Sequence, residues 1–580
     1  MNNLNPKLRN GMRSAPASGA VFRALAENPA ALKRSERSWQ SRAQDAGREA
    51  RPATPGAGVL PSFGLWLKFF FAGVLSLSSQ FHLFAESDWP QAAGATGNFQ
   101  SQSAAPVAWS VVLGQNIAWK LTLPETGQST PVIAGGKVFF TTMKEVEADA
   151  KLGQDIVAWC GDARIGKVLW QRAIPGKHPL RLSGCFSDSS SPSAVCDGER
   201  VVFINASGSI ACFDLNGKPL WKRDVLSAGR TLPFLNHGRI IFTRQIYPPN
   251  PDGNFPHKYA DSPLEMWTQL HALDMTTGKD VWTSRCGVNM GNAVLPQKLK
   301  DGREVAVVGR GGGHGPPEKP DGISLVNLKD GSTLWTLPLE KFMSTMSYRI
   351  REDVAHIFDG GEHLSIDALT GKVVRRVSIL NDVSVRRRID GTYTKKTESI
   401  ADARKGRMIT QTSNLLVGRY HYFRSYTRPY LGRVNVENGR VEYLELPLQL
   451  ARAEGEKDRL QWFVEPKSKK DPQMKDQAIA ANDMKNSRGF EVVGDKRSRG
   501  NGWGHIAAAT PSVAGDHLYV PVMNGTVYVI RWNAEKLDEK AIIAINDLGP
   551  VGQSFNRASL SFADGRIYAH TIRELICIGQ

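Results

Sequence analysis

Short apolar segments alternate with polar turns through most of the chain, and one arrangement of them keeps returning. Val157-Ala-Trp-Cys-Gly-Asp-Ala-Arg-Ile-Gly-Lys-Val-Leu-Trp170 reappears as Ile210-Ala-Cys-Phe-Asp-Leu-Asn-Gly-Lys-Pro-Leu-Trp221. It returns as Leu270-His-Ala-Leu-Asp-Met-Thr-Thr-Gly-Lys-Asp-Val-Trp282 and Ile323-Ser-Leu-Val-Asn-Leu-Lys-Asp-Gly-Ser-Thr-Leu-Trp335, with weaker copies at 364–374 and 431–441. In each unit an alternating strand runs into Asp or Asn (162, 214, 274, 327, 367, 435), whose side chain can cap a turn. Three or four residues later a Gly (166, 217, 278, 331, 371, 439) supplies the positive φ that the turn needs. A second strand follows, and in the four strong copies it carries a Trp suited to packing between neighbouring sheets. Upstream of several units lies another strand pair, as in Pro131-Val-Ile-Ala-Gly-Gly-Lys-Val-Phe-Phe-Thr141 and Pro192–Phe203. Four short antiparallel strands per roughly 50 residues is the signature of a propeller blade.

The Trp residues at 170, 221, 282 and 335 set steps of 51, 61 and 53 residues. Six units end near 170, 221, 282, 335, 377 and 445, a seventh runs from Thr510 to Ile545, and the last, Ala558–Ile578, has only three strands. Asn116–Leu123, which otherwise has no blade, is expected to supply the missing outer strand and so leave no open edge in the ring. The reading is an all-β, eight-bladed β-propeller of four-stranded antiparallel blades, with seven blades as the alternative if the weak fifth unit is not one. Residues 86–580 form this one domain, with an insertion at about 451–505. Across 451–500 the insertion holds twelve basic and nine acidic residues, the composition of a partner-binding loop or a disordered insert.

The Ala-x-Asp-x-x-Thr-Gly-Lys-x-x-Trp pattern, clearest at Ala272–Trp282, resembles the pyrroloquinoline-quinone (PQQ) repeat. The resemblance covers about residues 107–580. The opening Asp88-Trp-Pro-Gln and Gly502-Trp-Gly-His-Ile506 are similar to segments of exported bacterial proteins of this repeat class. That family has two arms: eight-bladed quinoprotein alcohol dehydrogenases, and non-catalytic propellers of the outer-membrane assembly-factor type. The dehydrogenase arm implies an adjacent Cys-Cys pair, a Trp beneath the quinone, and a calcium-binding carboxylate set with a catalytic Asp. The chain has no adjacent cysteines and no carboxylate cluster that maps onto that pattern. The expectation is therefore an exported binding platform in the bacterial cell envelope, with no catalytic residues and no cofactor. The alternatives are a PQQ- and calcium-dependent oxidoreductase and a carbohydrate- or peptide-binding module.

Ligands of propellers enter from the face carrying the loops between blades and between second and third strands. On that face the expected site residues are Asn289 and Asn292 before the fourth blade, Arg310 and His314 in a Gly-rich loop, and Trp503 and His505 before the seventh. The loop Gly309–Glu318 lacks the Gly-Lys-Ser/Thr of a P-loop. No histidine pair has metal-ligand spacing, so no metal site is expected.

Charge changes the picture only at the N-terminus. The chain of 580 residues carries a formal +17, but residues 1–85 hold eleven Lys/Arg against four Asp/Glu, leaving +10 over the remainder. That dilute excess points away from a nucleic-acid partner; the resemblance implies an envelope protein or a small polar ligand as partner, bound by a monomer. Residues 1–63 are Ala-, Arg-, Ser- and Pro-rich without apolar periodicity and read as a disordered basic extension. Within 64–85 the uninterrupted apolar run, Phe69–Leu75, is short, which fits a signal peptide cut near Ala85. An uncleaved membrane anchor is the alternative, so the protein is placed in the periplasm or outside the cell. Six cysteines (160, 185, 196, 212, 286, 577) without a CxxC exclude a disulfide-built scaffold, and spacing leaves a Cys185–Cys196 bridge open.

Overall fold

The computed structural model describes residues 88–182, 188–227, 232–254, 267–289, 293–311, 319–339, 348–389, 392–400, 414–425, 430–447, 488, 509–549 and 554–580, and the backbone of 450–453 and 456–462. Eight antiparallel sheets follow one another along the chain, an eight-bladed β-propeller. Blade 1 shows the rule: Val132–Ala134 is innermost, then Lys137–Met143, Ile156–Asp162 and, outermost, Val168–Ile174. The weak fifth unit is a full blade, built from Arg349–Arg351, Val354–Asp359, Glu362–Asp367 and Val373–Ser378. Blade 8 takes Ser561–Ala563, Arg566–His570 and Glu574–Ile578 from the C-terminus. Its outer strand is Ile117–Thr122, with Lys120 opposite Ile576 and Leu121 opposite Leu575, the closure expected from sequence. Among the described residues no helix is long and apolar enough to cross a membrane.

Blade 6 departs from the rule. Outside its fourth strand, Val441–Glu445, lies a hairpin of Val383–Ile389 and Thr392–Glu398, its first strand running parallel to Val441–Glu445. A further hairpin, Leu450–Ala453 with Glu456–Trp462, opens the insertion.

The repeat's Asp, Gly and Trp are parts of one joint between blades. In blade 3, Asp274 Oδ1 accepts from the backbone N–H of Thr276 and Thr277 at 3.1 and 2.7 Å, closing the turn. Gly278 sits in that turn at φ +67°, and a Cβ there would lie 2.6 Å from the indole of Trp221 in blade 2. Trp221 Nε1 donates to Met275 O of the same turn at 3.0 Å. Trp119 meets Gly166, Trp170 Gly217, Trp282 Gly331 and Trp335 Gly371 at the same close approach, and of these indoles Trp119, Trp170 and Trp335 also donate to a turn carbonyl. At these five junctions the tryptophan of one blade is thus seated on the glycine of the next, and the two residues recur together because a side chain at the glycine would collide with the indole. Between blades 5 and 6 Arg375 takes the indole's place against Gly439, donating to Glu437 O at 2.9 Å.

Candidate functional site

The hole down the middle of a propeller is where ligands are usually held, and here the chain itself occupies one end of it. Residues 88–101 touch the inner strand or inner-strand approach of every blade in turn. Trp89 exchanges backbone hydrogen bonds with Ile133 of blade 1 at 2.8 and 2.9 Å and packs edge-on against Phe562 of blade 8. Pro90 O accepts from Cys196 N of blade 2, and Gln91 Oε1 from Leu235 N of blade 3. Gly97 lies so close to Pro296, beside the blade 4 inner strand, that a Cβ would be 2.6 Å away, and its carbonyl accepts from Arg349 of blade 5. Gln100 donates to Leu416 O of blade 6, and Gln100–Ser101 pairs in parallel with Val513–Ala514 of blade 7. Gly135 N, in the first turn of blade 1, donates to Asp88 Oδ1, and Gly515 N, in the first turn of blade 7, donates to Ser101 O. The plug therefore sits at the mouth formed by the turns between first and second strands. Sequence marked Asp88-Trp-Pro-Gln only as a family feature; its tight packing carried no separate signal.

The opposite mouth is the face on which the site was expected. Asn289 and Arg310 are both there, and adjacent, but their polar atoms are engaged internally. Asn289 N donates to Gly309 O at 2.7 Å, and its side-chain amide donates to Gly311 O. Arg310 is buried; Nε donates to Pro320 O at 3.1 Å and Nη1 lies 3.0 Å from Cys286 Sγ, while Nη2 donates to Lys319 O and the guanidinium stands over the Trp267 ring. These two residues hold the loop between the second and third strands of blade 4. Asn292, His314, Trp503 and His505 lie outside the described residues, as does Cys185. Cys196 is a free, buried thiol that burial pushes up to about 12.

A different set converges where blade 8 meets blade 1. Residues 126–130, leading into blade 1, run beside 556–559, leading into blade 8, joined by Ser559 N donating to Thr130 Oγ1 at 3.2 Å. Gln128 Oε1 accepts from Ser191 Oγ at 2.8 Å and from Arg557 Nη1 at 3.3 Å. His570, at the end of the second strand of blade 8, donates from Nδ1 to Ser129 O at 2.7 Å; burial lowers it to about 4, so it is neutral with a lone pair on Nε2. A Cβ on Gly127 would lie 2.6 Å from that Nε2 and 2.5 Å from Thr141 O, so only glycine lets the loop pass this close. Ser191 and Arg557 are half-buried, whereas Thr126, Gln128, Asn556 and His570 are buried. These residues lie in irregular loops with no motif, which is why sequence reasoning missed them.

Two further polar clusters are structural. Arg433 is fully buried between blades 6 and 7, held by Glu442 at 2.7 Å, Ala534 O, Glu535 O and the Tyr422 hydroxyl. His356, His363 and His421 are buried between blades 5 and 6; His363 Nε2 and His421 Nδ1 are 3.1 Å apart, and His421 Nε2 reaches Asn414 Oδ1. Among the described residues no group of three or more His, Cys, Asp or Glu is arranged to hold a metal.

The family model described as outer membrane protein assembly factor BamB matches residues 102–232 and 264–442. Among solved structures, BamB from Moraxella catarrhalis is similar at 12% identity and TM-score 0.43, over 80% of this chain and 96% of that one. Quinohemoprotein alcohol dehydrogenase from Comamonas testosteroni is similar at 12% identity and TM-score 0.45, over 85% and 80%. A europium-containing methanol dehydrogenase is similar at 10% identity and TM-score 0.46, over 83% and 89%. No curated protein matches the chain.

Proposed function

We propose, from the premise that the chain belongs to the family of the outer membrane protein assembly factor BamB, that it is an exported, non-catalytic propeller serving as a binding platform in the bacterial cell envelope. The observation that carries this reading is the plug. A segment that touches all eight blades occupies one end of the ring, so partners are left the opposite mouth and its rim of loops. Asn289 and Arg310, the polar residues there with the look of a site, are spent on holding those loops.

The cysteines do not fit the quinone-dependent alternative. That chemistry implies an adjacent pair, and no two of the six are adjacent. Cys160, Cys212 and Cys577 occupy one repeat position, and burial raises their thiols to about 12, 12 and 11. Such groups are small apolar fillers rather than reactive thiolates.

The test is a reconstitution. Full-length protein incubated with PQQ and calcium is expected to bind no stoichiometric quinone and to reduce no artificial electron acceptor when given primary alcohols. Quinone binding with turnover would overturn the reading.

A further inference from the structure

The wall between blades 8 and 1 buries polar atoms that the protein itself does not use. Gln128 Nε2, both amide atoms of Asn556, Thr126 Oγ1 and His570 Nε2 are buried without a hydrogen-bond partner. Gln128 and Asn556 are 5% and 1% exposed. A buried polar atom left unpaired costs about 1–3 kcal/mol, and native folds hold few of them. Five in one wall of one blade junction mark a place where ordered water or a ligand can complete the hydrogen bonding. Two more, Gln245 Nε2 and Ser425 Oγ, lie just beyond second strands of blades 3 and 6, at the same end of the ring. All seven atoms are remote from the plugged mouth.

The chemistry of the set is specific. Because Gln128 Oε1 already accepts from Ser191 and Arg557, its Nε2 presents two N–H donors in a fixed direction. Asn556 presents donors and an acceptor together, Thr126 a hydroxyl that does both, and His570 a lone pair, since its Nδ1 hydrogen is committed to Ser129 O. Thr126, Gln128, Asn556 and His570 are uncharged, with donors and acceptors interleaved among them; the charge beside Gln128, on Arg557, already reaches Gln128 Oε1. An anion would find no use for the His570 lone pair or Asn556 Oδ1, and a cation none for the two Gln128 hydrogens. A neutral molecule whose hydroxyls each donate and accept matches both. The half-buried Ser191 and Arg557 stand beside Gln128 and give the set its side towards solvent.

We propose that the junction of blades 8 and 1, at the mouth opposite the plug, is a binding site for a neutral polyhydroxylated ligand, a sugar or polyol, held by Gln128, Asn556, Thr126 and His570. The assignment is independent of the protein partner proposed above, and the quinone reconstitution bears on neither residue set.

The experiment is isothermal titration calorimetry of the full chain with glucose, N-acetylglucosamine, trehalose and glycerol, with sodium acetate as the anionic comparison. A saturable, stoichiometric heat with at least one neutral probe and none with acetate is expected. Asn556→Leu should weaken that binding about tenfold or more, the equivalent of one lost hydrogen-bond pair. In the ligand-free protein the same variant should melt at the same or a higher temperature, because it removes unpaired polar atoms and breaks nothing. Gln128→Leu should also lose binding but melt lower, since it strands Ser191 and Arg557. Failure of every neutral probe to bind at 100-fold excess over protein, acetate binding as well as they do, or an Asn556→Leu variant that melts lower would each overturn the assignment.

Discussion

Two glycines of blade 3 allow the joint between blades to be weighed. Gly238, in the turn between the first and second strands, has φ +70°, and a Cβ added there would meet nothing within 4 Å. Gly278 has φ +67°, nearly the same backbone, but its Cβ would lie 2.6 Å from Trp221 Cε3 and 2.7 Å from Cδ2. Gly238→Ala therefore costs only the left-handed penalty of an L-residue, about 1–2 kcal/mol. Gly278→Ala bears that penalty and must also displace an indole anchored by its hydrogen bond to Met275 O; overpacking of this kind costs about 1–3 kcal/mol more. Equilibrium urea unfolding followed by far-ultraviolet circular dichroism should place the Gly278→Ala midpoint clearly below that of Gly238→Ala. A double-mutant cycle isolates the contact: in a Trp221→Ala background the Gly278→Ala cost should fall to that of Gly238→Ala. Equal midpoints for the two alanine variants, or a Gly278→Ala cost unchanged when Trp221 is absent, would refute the account of why these residues recur together.

Three other outcomes follow from the same structure. Trp89→Ala should lower stability by about 3–5 kcal/mol, the usual cost of emptying a buried aromatic site, read as a fall in the thermal midpoint; a surface-like change below 1 kcal/mol would mean the plug is not part of the core. Glu442→Gln removes the carboxylate that faces fully buried Arg433, and leaving that charge unmatched should cost about 3–5 kcal/mol, whereas Lys395→Ala on the exposed outer hairpin should leave the midpoint unchanged. Desolvation lowers His356 to about 4, His363 to about 3 and His421 well below its usual value, with Arg351 and Arg375 and the histidines themselves adding repulsion. The unfolded chain then binds more protons than the folded one from about pH 6.5 down to about 3, so their contribution to stability is complete above pH 6.5 and is lost as pH falls through that window. Replacing His363 by Phe should flatten the fall in melting temperature between pH 6.5 and 4, and an unchanged slope would contradict the assignment.

The ring could be read from sequence because its joint is local and repeated. Asp274, Gly278 and Trp282 stand within nine residues, and each turn uses the same bond pattern, so the period and the strand order follow from spacing alone. Even the closing strand was legible, since Asn116–Leu123 carries a Trp-Lys segment with no blade of its own. Legibility stopped where the joint changed chemistry. Arg375 stands in for tryptophan between blades 5 and 6, which weakened the fifth unit on paper while leaving it intact in space. The outer hairpin of blade 6 is laid down before the blade it joins and pairs in parallel, an order no repeat pattern encodes.

The site was less legible for a reason that applies to every closed ring. Sequence singles out residues that look chemical, and Arg310 and Asn289 stand out on that ground. In a propeller, however, loops at the ligand face must themselves be held, and a buried guanidinium or amide is an efficient clasp because it can satisfy several stray carbonyls at once. Arg310 does this for Lys319 and Pro320. Gln128 and Asn556 look ordinary in sequence, yet the fold buries them with hydrogen-bonding capacity unspent, and unspent capacity is what a ligand can use. A polar side chain at the mouth of a ring is thus informative in proportion to what the protein leaves it free to do, a quantity that depends on loops brought together from residues 126–130 and 556–559, some 430 positions apart.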